Sequence, residues 1–151
     1  MLGTKGHKNH YKEMRKCIQH RADIIIQLLI DNGFAIHRYD SLSTNSVYLK
    51  VDYGVCNSIR ISDHTGYSHL SYRYEMLIGK MNGREHIKKN GYWCTRYGAK
   101  DYKALIEDIL HNREQKLEKY GFDGYDRLID IQIKNNKNKP GFWRYAKLIW
   151  K

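Results

Sequence analysis

No apolar run in this chain approaches the ~20 residues that a membrane-spanning helix requires. None exceeds three residues, and Ile24-Ile25-Ile26 stops at Gln27, so no membrane partner is expected. The first residues, Met1-Leu2-Gly3-Thr4-Lys5-Gly6-His7-Lys8, hold no apolar stretch of the secretory kind, and a cleaved leader is not expected. Cysteine is scarce. Cys17, Cys56 and Cys94 are odd in number and widely spaced, which argues against a disulfide framework and for a reducing, cytoplasmic setting. Without a CxxC neighbour, Cys56 and Cys94 read as small buried residues. A Walker loop, GxGxxG, HExxH and GxSxG are all missing, so neither a cofactor nor an enzymatic activity is expected. Acidic residues are the minority: 16 Asp and Glu stand against 27 Lys and Arg, a net charge of +11.

What is present fits one domain over residues 1–151, with 41% hydrophobic and 13% aromatic residues to build a core. The positive charge is unevenly spread. Residues 1–21 carry +5 (Lys5, Lys8, Lys12, Arg15, Lys16 and Arg21 against Glu13), and residues 80–103 carry +5. The acid-free segment 134–151 carries +6, so the rest of the chain is net acidic at −5. Such a field attracts polyanions, and nucleic acid is the common one in cytoplasm. Aromatics are interleaved with two of these stretches: Tyr92, Trp93 and Tyr97 in the central one, Phe142, Trp143, Tyr145 and Trp150 in the last. Cations grip phosphates while ring faces stack on unpaired bases. The same rings also serve as core in ordinary proteins.

Periodicity predicts an α+β fold. Tyr11, Met14, Ile18, Ile25, Leu28 and Leu29 recur at helical spacing over residues 10–32, and Asn32-Gly33 is a stop signal. A short strand at 34–39 is followed by three clearly alternating ones, at 46–53, 58–63 and 69–78. Val47, Leu49, Val51, Tyr53, Ile59, Ile61, Leu70, Tyr72, Tyr74, Met76 and Ile78 are expected to face the core. Lys50, Asp52, Arg60, Arg73 and Glu75 face out, where the acids are able to pair with the cations. Residues 79–91 read as a mobile polar loop, 92–97 as a fifth strand, and 101–120 as a second helix ended by Gly121. Residues 125–133 fit a helix or a strand, and 142–150 are ambiguous. The expectation is an antiparallel meander of four to five strands (34–78 plus 92–97) with helices packed on one face.

Two constellations carry a chemical alternative. Asp63-His64 with His69, beside Arg60 and Tyr72, suits metal-independent RNA cleavage by acid/base catalysis. It also suits a capped hairpin turn. His7, His10, Cys17 and His20 form H-x2-H-x6-C-x2-H, but no structural zinc class places its ligands along one continuous helix. They read as part of an ordinary basic N-terminus, and no metal is expected.

The stretch Ser58-Ile59-Arg60-Ile61-Ser62-Asp63-His64 resembles the I-R-[IL]-S-[DN]-H strand of the broad-spectrum type II-A anti-CRISPR proteins of streptococcal phages. In that group a basic segment precedes this strand, and a further strand and a long amphipathic helix follow. The corresponding parts here are residues 5–21, 59–64, 70–78 and 102–120, about half the chain. Residues 1–33 depart from the group by reading as a helix rather than a flexible arm, and 134–151 have no counterpart. The resemblance implies a non-enzymatic phage protein that blocks a Cas9-type nuclease in the bacterial host cytoplasm. Its +11 charge makes it a poor mimic of DNA, so guide RNA is the expected contact, together with protein. The expected contact residues are Lys50, Arg60, Arg73, Lys88, Lys89, Trp93, Arg96, Trp143 and Arg144. A plain RNA- or single-stranded-DNA-binding phage protein is the alternative, and a small ribonuclease using His64 and His69 a third.

Overall fold

In a computed structural model of the chain, residues 2–41, 44–63, 69–75, 81–83, 85–138 and 141–150 are described, those at 2–11, 69, 85, 86, 89 and 150 by backbone alone. Helix α1 (Leu2–Asp31) starts eight residues earlier than periodicity predicts. Periodicity reports a buried stripe, and residues 2–9 have none to read. Further along, Ile18, Ala22, Ile25 and Leu29 have no exposure. Each side chain as large as Leu29 stabilises by about 1.5–3 kcal/mol when buried. The helix ends as Asn32-Gly33 predicts. Gly33 sits at φ 83°, its amide donates to the Ile30 carbonyl, and the Phe34 amide donates to Leu29. Only glycine takes that left-handed position without Cβ strain.

Six strands follow α1: β1 (Ile36–Asp40), β2 (Val47–Val51), β3 (Ser58–Ser62), β4 (His69–Tyr74), β5 (Glu85–Lys89) and β6 (Tyr92–Tyr97), with one 3-10 turn at Asp52–Gly54 between β2 and β3. After α2 (Tyr102–Asn136) and α3 (Phe142–Tyr145), β7 (Lys147–Trp150) returns to pair with β1. All pairs are antiparallel, in the order β5-β6-β4-β3-β2-β1-β7. The α+β class is as expected, but the sheet is larger at both edges. The segment 79–91, expected to be loop, contains β5. Its hairpin to β6 turns on Asn90 and Gly91, at φ 51° and 81°. That pair of positive angles is the two-residue turn that Asn-Gly favours.

One face of the sheet is core. Leu49, Ile59, Ile61, Leu70, Tyr72 and Tyr74 are almost completely buried there against α1 and the first half of α2. Met76 and Ile78, expected on the same face, lie outside the described residues. Asp101 caps α2 by accepting from the Ala104 amide at 3.4 Å. Gly121, at φ 75° and ψ 171°, interrupts the helix, which resumes at once. Residues 125–133 are therefore helical, and Gly121 is a kink rather than an end. Arg113 on α2 donates to the Asn32 carbonyl at 2.8 Å, tying α2 to the end of α1.

The strand predicted at 46–53 stops at Val51. Asp52 and Tyr53 take positive φ (49° and 60°), and the chain turns away from the sheet. Asp52, expected on the outer face, is instead buried. It accepts from the Ala35 amide and from the Tyr125 hydroxyl at 2.5 Å. Tyr53, expected inward, packs its ring 4.9 Å from His37.

Candidate nucleic-acid interface

Strand alternation sends every second side chain of β1, β2, β3, β4 and β6 to the face opposite the core. Pairing aligns them in two cross-strand rows. One runs Tyr39, Tyr48, Arg60, Ser71, Arg96; the other runs His37, Lys50, Ser58, Arg73, Cys94. Lys50, Arg60 and Arg73 thus share one face on three adjacent strands, as the alternation predicts. Arg96, also expected as a contact, extends the face onto β6.

Rings are set among these cations. Arg73 lies over the Tyr92 ring at 4.2 Å, Arg60 over Tyr48 at 5.8 Å, and Lys50 over Phe142 at 5.5 Å. Tyr39 stacks on Tyr48 at 6.2 Å. A ring beneath a guanidinium holds it in place and leaves its other planar face to solvent. Of the acids expected outward, Asp52 and Glu75 find their partners away from Arg60 and Arg73. Glu75 turns to Lys116 at 3.5 Å and to the Asn57 amide at 3.3 Å, while Asp52 is taken up by Ala35 and Tyr125. Among the described residues no carboxylate pairs with Arg60 or Arg73, and both are exposed.

The face is open over β3, β4 and β6 and partly covered over β1 and β2. There α3 lays Phe142 5.0 Å from Trp143, and Trp143 packs edge-on to His37 at 4.9 Å. Burial lowers the His37 pKa, which favours the neutral form of the imidazole under Trp143. Lys50, half-buried beside Phe142, forms the border between the covered and open parts. Trp143, expected as an anchor, is half-buried in this cover, and Arg144 is exposed beside it.

Not every expected contact joins this surface. Trp93 pairs with Tyr74, which places it on the core face, where it packs against the hydrophobic cluster. Lys88 pairs with Trp93 and points to that side as well, though exposed. Both were misplaced because the strand register of 85–97 is not legible from a run of mixed polar and aromatic residues. The Lys89 side chain lies outside the described residues. Tyr48 and Tyr92, which the sequence reading did not count as contacts, are part of the face. The signal for Tyr48 was the period-two alternation that singled out Lys50 and Arg60; Tyr92 was visible only as a ring among cations.

The acid/base alternative loses one of its members. Tyr72 is fully buried, its hydroxyl donating to the Cys56 carbonyl at 2.7 Å, and does not lie beside Arg60. His64 and the His69 side chain lie outside the described residues. Among the N-terminal cations, Arg15 donates to Asn45 at 3.2 Å and Arg21 is buried, so these two serve the fold.

Two adjoining depressions cut the open face. One, of about 350 Å³, is lined by Tyr48, Arg60, Ser71, Arg73, Tyr92 and Cys94. The other, of about 260 Å³, lies between Lys50, Arg73, Glu75, Tyr92, Gln132 and Trp143. Arg73, Tyr92 and Ser58 belong to both. No known protein family, curated protein or solved structure matches the chain.

Proposed function

We propose that this chain is a non-enzymatic RNA-binding protein that holds its ligand on the outer face of the sheet, and that it acts as a phage inhibitor of a Cas9-type nuclease in the host cytoplasm. The observation that carries the reading is the face itself. Lys50, Arg60 and Arg73 stand on neighbouring strands, interleaved with Phe142, Tyr48 and Tyr92, with Asp52 buried elsewhere and Glu75 held at one oxygen by Lys116. An antiparallel sheet that offers rings and cations on an open face suits unpaired bases.

The nuclease target rests on the resemblance around Ile59–His64 and on the sign of the charge. A basic inhibitor is attracted to the RNA of an effector rather than to the basic channel that holds it. The experiment is binding to a Cas9-type effector with and without guide RNA at rising salt, alongside cleavage of a target duplex. Guide-dependent, salt-sensitive binding and loss of cleavage are expected. Equal, salt-insensitive binding to the guide-free protein would overturn the RNA-contact mechanism. Arg60→Ala and Arg73→Ala should each lower the salt slope by about one and weaken binding uniformly across RNA sequences.

The same face also suits a plain single-strand-binding phage protein. RNA binding of unchanged strength with no effect on cleavage selects that reading.

A further inference from the structure

The two depressions on the outer face share one wall. Arg73 and Tyr92 line both, and the guanidinium lies 4.2 Å from the ring. On the β3 side the wall is flanked by Ser58, which pairs with Arg73 across the sheet. Such a partition has a cation along its crest and a depression on each side. Its geometry matches the repeat of a single strand, in which a phosphate separates two bases.

Resting on the reading of this face as a nucleic-acid surface, we propose that the trough seats two successive nucleotides of an unpaired RNA strand. The linking phosphate lies on Arg73, and one base enters each depression. In the first, the guanidinium planes of Arg60 and Arg73, backed by Tyr48 and Tyr92, offer stacking surfaces for a base. Ser71 at its floor offers a hydroxyl to a base edge. The second depression is polar. Glu75 enters it with Oε1 held by Asn57 and Lys116, which leaves Oε2 to accept from a base amino or ring N–H. Glu75 therefore favours a base rich in edge donors over uracil in that place.

A duplex does not fit this arrangement. Its bases are stacked on one another, and only its phosphates reach a surface from outside. The rings at Tyr48 and Tyr92 would then contribute nothing.

The test uses the full chain and three labelled RNAs of equal length: a mixed-sequence single strand, its duplex, and the strand with two adjacent abasic positions. Anisotropy at fixed salt should give roughly 10-fold tighter binding of the single strand than of the duplex. Abasic substitution and Tyr92→Leu should each remove most of that advantage while leaving duplex binding within about twofold. Lys103→Ala, an exposed cation on α2, controls for charge alone. In the same samples the single strand should shield Cys94 from maleimide and leave the exposed Cys17 reactive. Glu75→Gln should narrow the preference for donor-rich bases over a uridine strand.

Equal affinity for all three RNAs, with Tyr92→Leu behaving like Lys103→Ala, would overturn the two-nucleotide seat. If Arg60→Ala and Arg73→Ala still weakened binding, the phosphate-binding reading would survive that result. Absence of binding to every RNA at low salt would remove both.

Discussion

The Tyr125 hydroxyl donates to Asp52 Oδ2 at 2.5 Å, joining the helix beyond the Gly121 kink to the turn after β2. Both partners are buried, and Asp52 Oδ1 accepts from the Ala35 amide at 2.8 Å. One carboxylate therefore holds together the start of β1, the end of β2 and the second half of α2. Through that last attachment Asn136 reaches the Tyr53 carbonyl, and the chain is delivered to α3 on the outer face.

Tyr125→Phe keeps the ring and removes the donor, leaving a buried carboxylate oxygen without a partner. The expected cost is about 1–3 kcal/mol in urea unfolding, with little change in the m-value.

Burial raises the Asp52 pKa above its ordinary 3.8, against the hydrogen bonds from Tyr125 and Ala35 and the nearby Arg113 charge, which lower it. The folded state therefore holds this proton more tightly than the unfolded chain. The resulting stabilisation is fully present below about pH 3.8 and is lost as pH rises through the raised value. Asp52→Asn has no such titration. The stability difference between wild type and Asp52→Asn, followed by urea unfolding from pH 3 to 7, should move against wild type as pH climbs. A flat difference would contradict it.

Lys116 is buried, and its ammonium donates to the Val55 carbonyl and to Asn57 Oδ1 at 3.1 Å, with Glu75 Oε1 at 3.5 Å. It is the post on which the turn from β2 to β3 is hung. Lys116→Met fills most of the space but strands two acceptors. The expected loss is about 2–3 kcal/mol by thermal or urea unfolding. Exposed Lys119→Met should stay within about 0.5 kcal/mol.

Gly83 lies so close to β6 that an added Cβ would meet Thr95 Cγ2 at 1.8 Å and the Arg96 carbonyl at 2.9 Å. Thr95 has nowhere to go, since it is buried and its hydroxyl is hydrogen-bonded to Tyr74 at 2.9 Å. Gly83→Ala should destabilise by about 1–3 kcal/mol. Faster amide exchange in β5 and β6 than in β1 and β2 would locate the damage.

The outer face also predicts a contrast between stability and binding. Arg60 is exposed and rests on one ring, so Arg60→Ala should change unfolding free energy by no more than about 0.5 kcal/mol while weakening RNA binding. Unfolding of that variant would show that Arg60 serves the fold.

Alternation with period two, and helical spacing with period 3.6, are local properties of the chain. They were enough to determine the α+β class, the Gly33 stop, and the placing of Lys50, Arg60 and Arg73 on one side of three strands. Long-range pairing decided the rest. Where β5 lies against β6 determines that Trp93 and Lys88 turn to the core side, since a shift of one residue would reverse every side chain. The return of β7 to β1 brings Phe142 and Trp143 over the β1 and β2 side of the outer face, about a hundred residues along the chain from the strands they cover. Asp52 was read as a surface partner for the cations because its fate depends on Tyr125, 73 positions away. Cations on a strand declare their face through their neighbours in sequence. Whether that face stays open, and which acids remain beside it, depends on segments that meet only after the chain has folded.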